Sequence, residues 1–136
     1  MEIVDIDGIA TRYQVIGSGD PLLMYAPGGF DATLEKWSTQ GVYAKIKPVD
    51  HLSRHYSCII FDRRECGQSG GRVEKVGFSD YVRQGIGLLD HLKIDKAHLM
   101  GGCMGCCPVA AFGVMHPERV RSMVLFWPVG GAKYRL

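Results

Sequence analysis

Residues 99–108 read LMGGCMGCCP and place three cysteines within five positions of a chain that has five in all. Three chemistries use such a cluster: a metal clip, a redox pair, or a nucleophile on a tight turn. The segment joins an apolar run, KAHLMG (96–101), to MGCCPVAAFGVMHPE (104–118), which reads as a helix closed by His116-Pro117. Gly101-Gly102-Cys103-Met104-Gly105 therefore matches the pattern G-x-S-x-G at a strand-to-helix junction, with cysteine in the serine position. Glycine has a physical task at each end of that frame. A nucleophile on a sharp turn sits in strained backbone geometry, and side chains two positions to either side collide with neighbouring elements. A helix starting after Cys103 points its amide dipoles at the sulfur and favours the reactive thiolate.

The competing chemistries have less around them. Cys103 and Cys106 form C-x-x-C at a helix start, as in thioredoxin-like redox couples, but Pro108 follows the pair instead of separating it. Cys106 and Cys107 read as small core residues one turn on. A metal clip needs further ligands, and no second Cys or His pair at ligand spacing occurs, so no metal is expected. GGCMG lacks the third glycine and the downstream acid of a dinucleotide fingerprint, and no phosphate-binding G-x-x-x-x-G-K-[ST] is present. No cofactor is expected.

Outward from the cysteines, the chain alternates apolar runs with helical patterns. MEIVDI (1–6) and IATRYQVIG (9–17) read as two strands around Asp7-Gly8, and GSGD (17–20) as a hairpin turn. PLLMYA (21–26) is a buried-type strand running into Pro27-Gly28-Gly29. Residues 33–56 read as helical pieces broken at Pro48. CIIFD (58–62) is a second buried-type strand leading into RRECGQSGG. Tyr81, Ile86, Leu88, Leu89 and Leu92 recur at helical spacing over 78–92. VRSMVLFWP (120–128) reads as the last buried-type strand. Apolar strands alternating with helices predict a three-layer α/β/α domain with a mostly parallel sheet and an antiparallel N-terminal edge. Chemistry in such sheets gathers at the carboxyl ends of the strands, here APGGFD (26–31), DRRECGQSGG (62–71) and GGCMGCC (101–107). Trp37, Tyr43 and Trp127 are assigned to core packing.

Bulk properties exclude several classes. A chain of 136 residues has the length of about one domain, and 46% apolar residues suffice for a core. A net charge of +2 with no basic run gives a nucleic-acid partner little support. No apolar run approaches the roughly 18 residues of a membrane span. The acidic start MEIVDIDG is unlike a targeting peptide. Five cysteines without framework spacing read as thiols, so a cytoplasmic location is expected.

Three motifs in register carry a family resemblance: PLLMYAPGGF, with its strand and glycine loop; FDRRECGQSGG, similar to D-x-R-x-x-G-x-S; and GGCMG. The helix and strand of HPERVRSMVLFWP follow in the same order. Together they resemble the N-terminal portion of an α/β-hydrolase-fold protein over nearly the whole chain. Cysteine in the nucleophile position is similar to the dienelactone-hydrolase-like branch. The resemblance implies a cysteine hydrolase or acyl-transfer enzyme acting on an ester, lactone or thioester of a small molecule. Cys103 would be the nucleophile, the amides of Gly29 and Met104 the oxyanion hole, and Gly101, Gly105, Gly28 and Asp62 the support. Asp62 and Arg63 are read as tying their loop by an ion pair.

Departures accompany the match. Pro27-Gly28 stands where His-Gly is usual, and Glu65 where glycine is usual. The family's acid and histidine lie on later loops that this sequence does not contain, so residues 1–136 read as a single, incomplete domain lacking the C-terminal strands. His55, His91, His98 and His116 fall toward the amino ends of the strands, and His51 lies in the broken helical region. No nucleophile–base–acid set follows from these residues. Three outcomes remain open: the hydrolase, a thiol redox module using Cys103 with Cys106, and an inactive fragment. Self-association through an uncovered sheet edge is expected.

Overall fold

Three central strands carry continuous apolar runs because each buries both of its faces. They are β3 (Asp20–Tyr25), β4 (Tyr56–Phe61) and β5 (Ala97–Gly102). Successive side chains on a strand point to opposite sides. Leu23, Tyr25, Ile59, Phe61 and Leu99 meet one helical layer, α4 (Phe78–His91) and α5 (Cys106–Met115). Leu22, Met24, Cys58, Ile60 and Met100 face the other side, toward α1 (Lys36–Thr39), α2 (Gly41–Ile46) and α3 (Pro48–Leu52), which contribute Trp37, Tyr43 and Val49. Each large apolar side chain buried in this way is worth about 1.5–3 kcal/mol. The computed structural model describes residues 2–28, 31–70 and 77–126.

With β1 (Glu2–Ile6), β2 (Ile9–Ile16) and β6 (Val120–Phe126), the described residues form a six-stranded sheet of order β1-β2-β4-β3-β5-β6. Its β4-β3, β3-β5 and β5-β6 pairs are parallel, and β1-β2 and β2-β4 are antiparallel. The three-layer, mostly parallel arrangement predicted by the strand–helix alternation is thus present, as is the antiparallel edge. Lys47, left-handed at φ 47°, and Pro48 at the first turn of α3 divide the helical pieces where the proline predicts. Trp37 and Tyr43 are core residues; Trp127 lies outside the described residues.

Three expectations are corrected. Gly17-Ser18-Gly19-Asp20 makes no hairpin, because β4 lies between β2 and β3. Instead β2 bonds to β4 in the register Tyr13↔Phe61, which brings Arg12 to Asp62. The helix read from Met104 begins as a 3-10 turn, Cys103–Gly105, and becomes α-helical at Cys106. The last strand, β6, is apolar in sequence but not buried: Met123, Val124 and Leu125 remain 40–49% exposed.

Candidate active site

The parallel register aligns the carboxyl ends of the central strands, with Tyr25 opposite both Phe61 and Gly101. The three loops singled out by the sequence therefore leave the sheet side by side. Cys103, immediately after β5, has φ 51°, a left-handed conformation that side chains rarely adopt. It is held there by close packing on each side. A Cβ at Gly101 would lie 2.4 Å from the carbonyl oxygen of Gly105, and one at Gly105 would lie 2.3 Å from that of Tyr25. Neither position admits a side chain, so the turn cannot relax while β3 and β5 stay paired. Cys103 is half-buried and Met104 40% exposed, so the tip of the turn faces outward.

The neighbouring cysteines differ. Cys106 is buried, and its sulfur donates to the carbonyls of Gly101 at 3.2 Å and Phe126 at 3.4 Å. Burial, reinforced by the nearby Cys107, pushes its pKa up to about 11. It is a thiol pinning the helix start to β5 and β6, poorly suited to exchange with Cys103. Cys107 is half-buried instead of lying in the core. All five cysteines are free thiols.

Asp62 directly follows β4 and is fully buried, and its position is fixed by donors. Its carboxylate accepts Arg12 Nε at 2.8 Å, Arg12 Nη2 at 3.0 Å, Leu34 N at 2.8 Å and Gln68 N at 2.9 Å. Its backbone carbonyl accepts Ser69 Oγ and Gln84 Nε2. This set of contacts makes Asp62 a structural residue that ties its own loop to β2, to α4 and to the loop before α1. The ion-pair partner expected from its neighbour Arg63 is Arg12, which also reaches Glu35. Arg63 instead lies buried over the ring of Tyr81 and donates to the carbonyl of Gly28. Gly28 has φ 109°. Gly29, assigned to the oxyanion hole, lies outside the described residues. Arg12 and Gln84 were missed by the sequence reading. The available signal was a charged residue and an amide at core-facing positions of apolar elements.

The histidines are placed elsewhere. His98 bonds to Ser122 Oγ at 2.6 Å and lies 3.7 Å from Asp20, at the amino ends of β3 and β5. His116 pairs with Glu118, His91 packs edge-on against Tyr13, His55 precedes β4, and His51 lies exposed on α3. Among the described residues, no group of three or more potential metal ligands is gathered, and no helix is long and apolar enough to cross a membrane.

A strained turn after the central parallel strand, flanked by two loops at the same edge, is the layout of an α/β-hydrolase nucleophile elbow. The family model for the alpha/beta hydrolase fold matches residues 21–128, and the chain belongs to that family. It is 31% identical over 128 residues to a 2-hydroxy-6-oxo-6-phenylhexa-2,4-dienoate hydrolase of Comamonas testosteroni, covering 93% of this chain and 42% of that protein. It is 29% identical over 129 residues to the dihydrolipoyllysine-residue acetyltransferase component of the acetoin cleaving system of Cupriavidus necator, covering 95% and 32%. Among solved structures, a variant of the meta-cleavage product hydrolase CumD from Pseudomonas fluorescens IP01 superposes with a TM-score of 0.79. That pair shares 26% identity and covers 96% of this chain and 46% of the other. The chain thus spans less than half the length of these relatives.

Proposed function

We propose that Cys103 is the nucleophile of a hydrolase or acyl-transfer enzyme acting on the carbonyl carbon of a small ester, lactone or thioester. The thiolate adds to that carbon, and the amide of Met104, with that of Gly29, receives the developing oxyanion. The alkoxide or thiolate leaving group then departs and leaves a thioester on Cys103. The observation that carries this reading is the positive φ of Cys103 between two glycines that admit no Cβ. Strain of this kind costs stability and is retained where a reacting group must be presented. The relatives named above include a dienoate hydrolase and an acetyltransferase component, which fits carbonyl chemistry. A cysteine nucleophile is the feature shared with the dienelactone-hydrolase-like branch.

Water needs a base to attack the thioester, and none of the five histidines is placed at the elbow. The 136-residue chain is therefore expected to acylate once and to turn over slowly. With p-nitrophenyl acetate it should release a burst of p-nitrophenol stoichiometric with protein, followed by a slow phase. The Cys103→Ala chain should show no burst, and Cys106→Ala should keep it. A burst retained in Cys103→Ala rejects the assignment. Loss of the burst in both variants would favour a coupled thiol pair.

A further inference from the structure

At the amino ends of the strands, away from the elbow, a serine, a histidine and an aspartate stand in a row. Nδ1 of His98 on β5 lies 2.6 Å from Ser122 Oγ on β6, and its Nε2 lies 3.7 Å from Asp20 Oδ2 on β3. The ring of Tyr56 on β4 stands edge-on to the imidazole, with centroids 5.6 Å apart and planes at 79°. Four adjacent strands thus contribute to the placing of one imidazole.

A break in the β5–β6 ladder makes the contact with serine. Ala97 pairs with Val120 but His98 pairs with Ser122, which leaves Arg121 as an extra residue between them. Such bulges are rare between parallel strands, and they re-aim side chains. In an unbroken register His98 would face Arg121. With the bulge, Ser122 comes opposite the imidazole, and the guanidinium of Arg121 lies 3.5 Å from Asp20 Oδ2. The tautomer follows from the partners. A carboxylate only accepts, so Nε2 carries its proton toward Asp20, and Nδ1 keeps the lone pair that accepts the Ser122 hydroxyl. Ser122 is exposed, so a reagent can reach its oxygen. The reaction proposed for Cys103 uses none of these groups.

We propose that Ser122 is a second nucleophile, taking a phosphorus electrophile that bears a good leaving group, with His98 as its base and Asp20 as the positioning residue. Ser122 Oγ forms a bond to phosphorus while its proton passes to His98 Nδ1. The bond from phosphorus to the leaving group breaks, and that group departs with the electron pair. The imidazolium stands beside the carboxylate of Asp20 until it returns its extra proton to water. Arg121, in the same cluster, supplies a positive charge of the kind that phosphoryl oxygens favour. Thiolate chemistry at the elbow is separate from this step, so the two sites stand or fall independently.

The test treats the 136-residue chain with diisopropyl fluorophosphate and locates the adducts by peptide mass mapping; fluoride is the group released. Ser122 should be labelled about ten-fold or more faster than the exposed Ser38 and Ser79. Cys103→Ala should leave that rate unchanged. His98→Gln removes the base and should slow labelling of Ser122 about ten-fold or more. In His98→Ala, added imidazole should restore part of the rate. Asp20→Asn should slow labelling and also change the nitrogen NMR shifts of the His98 ring, from a single Nε2–H tautomer to a mixture. A merely structural aspartate would not move that signature. Ser122 labelled no faster than Ser38 and Ser79 overturns the proposal, and this comparison needs no variant to fold. A rate unmoved by His98→Gln, in a chain that still labels Ser122, overturns the role of His98 as base.

Discussion

Gly105 and Asp62 show how single residues fix the loops at the carboxyl ends of the strands: Gly105 the turn at Cys103, Asp62 the loop after β4. A side chain at Gly105 would press on the carbonyls of Tyr25 and Ala26, at 2.3 and 2.8 Å, which belong to backbone that cannot swing aside. Gly105→Val is therefore expected to cost about 3 kcal/mol, read as a lowered urea midpoint; an unchanged midpoint would mean that the turn is looser than described. Asp62→Ala leaves Arg12 without its bidentate partner inside the protein, and losing one member of such a pair costs about 3–5 kcal/mol. Thermal and urea unfolding both read it. The two residues differ in how far the sequence discloses them. The glycine constraint is local, since Gly101 and Gly105 flank Cys103 within one motif, and the pattern exposes it. The Arg12–Asp62 pair joins residues 50 positions apart. Arg63, adjacent in sequence, drew the assignment that belonged to Arg12.

Among the elements, β3, β4 and β5 were legible because burial on both faces leaves an unbroken apolar run. The pairing of β2 was not. A glycine-rich turn is compatible with a hairpin or with a chain leaving the sheet edge, and the choice was made by the distant contact of β2 with β4. The strands also carry a pH signature. Burial raises the pKa of Cys58 on β4 and of Cys106 at the start of α5 from 9.0 to about 11. In the unfolded chain both thiols ionise near 9, while in the folded chain they remain protonated until about 11. Their contribution to stability is complete below pH 9 and is lost as pH rises toward 11. Unfolding free energy from urea titrations should fall across that window, and the fall should be smaller in Cys58→Ala. A slope unaltered by that substitution would assign the alkaline loss to other groups.

At the scale of the whole molecule, the two apolar layers follow from the alternation of apolar strands with helices, and the uncovered sheet edge expected at the last strand is present among the described residues, although the strand itself was read as buried. An apolar strand reads as buried whether or not its neighbours are present. Among the described residues β6 pairs with β5 alone and exposes Met123, Val124 and Leu125. An apolar edge of this kind templates pairing with another chain, so the 136-residue chain is expected to self-associate. Leu125→Lys should reduce light scattering at equal concentration; identical scattering would place the contact elsewhere. Whether Cys103 is the nucleophile is tested most directly by a site-resolved measurement. The chain is mixed with p-nitrophenyl acetate, quenched in acid within the burst, digested, and each cysteine peptide is weighed. The account predicts acetyl on Cys103, with Cys58, Cys66, Cys106 and Cys107 essentially unmodified. Acetyl spread equally over Cys103 and Cys107, or absent from Cys103, would contradict it.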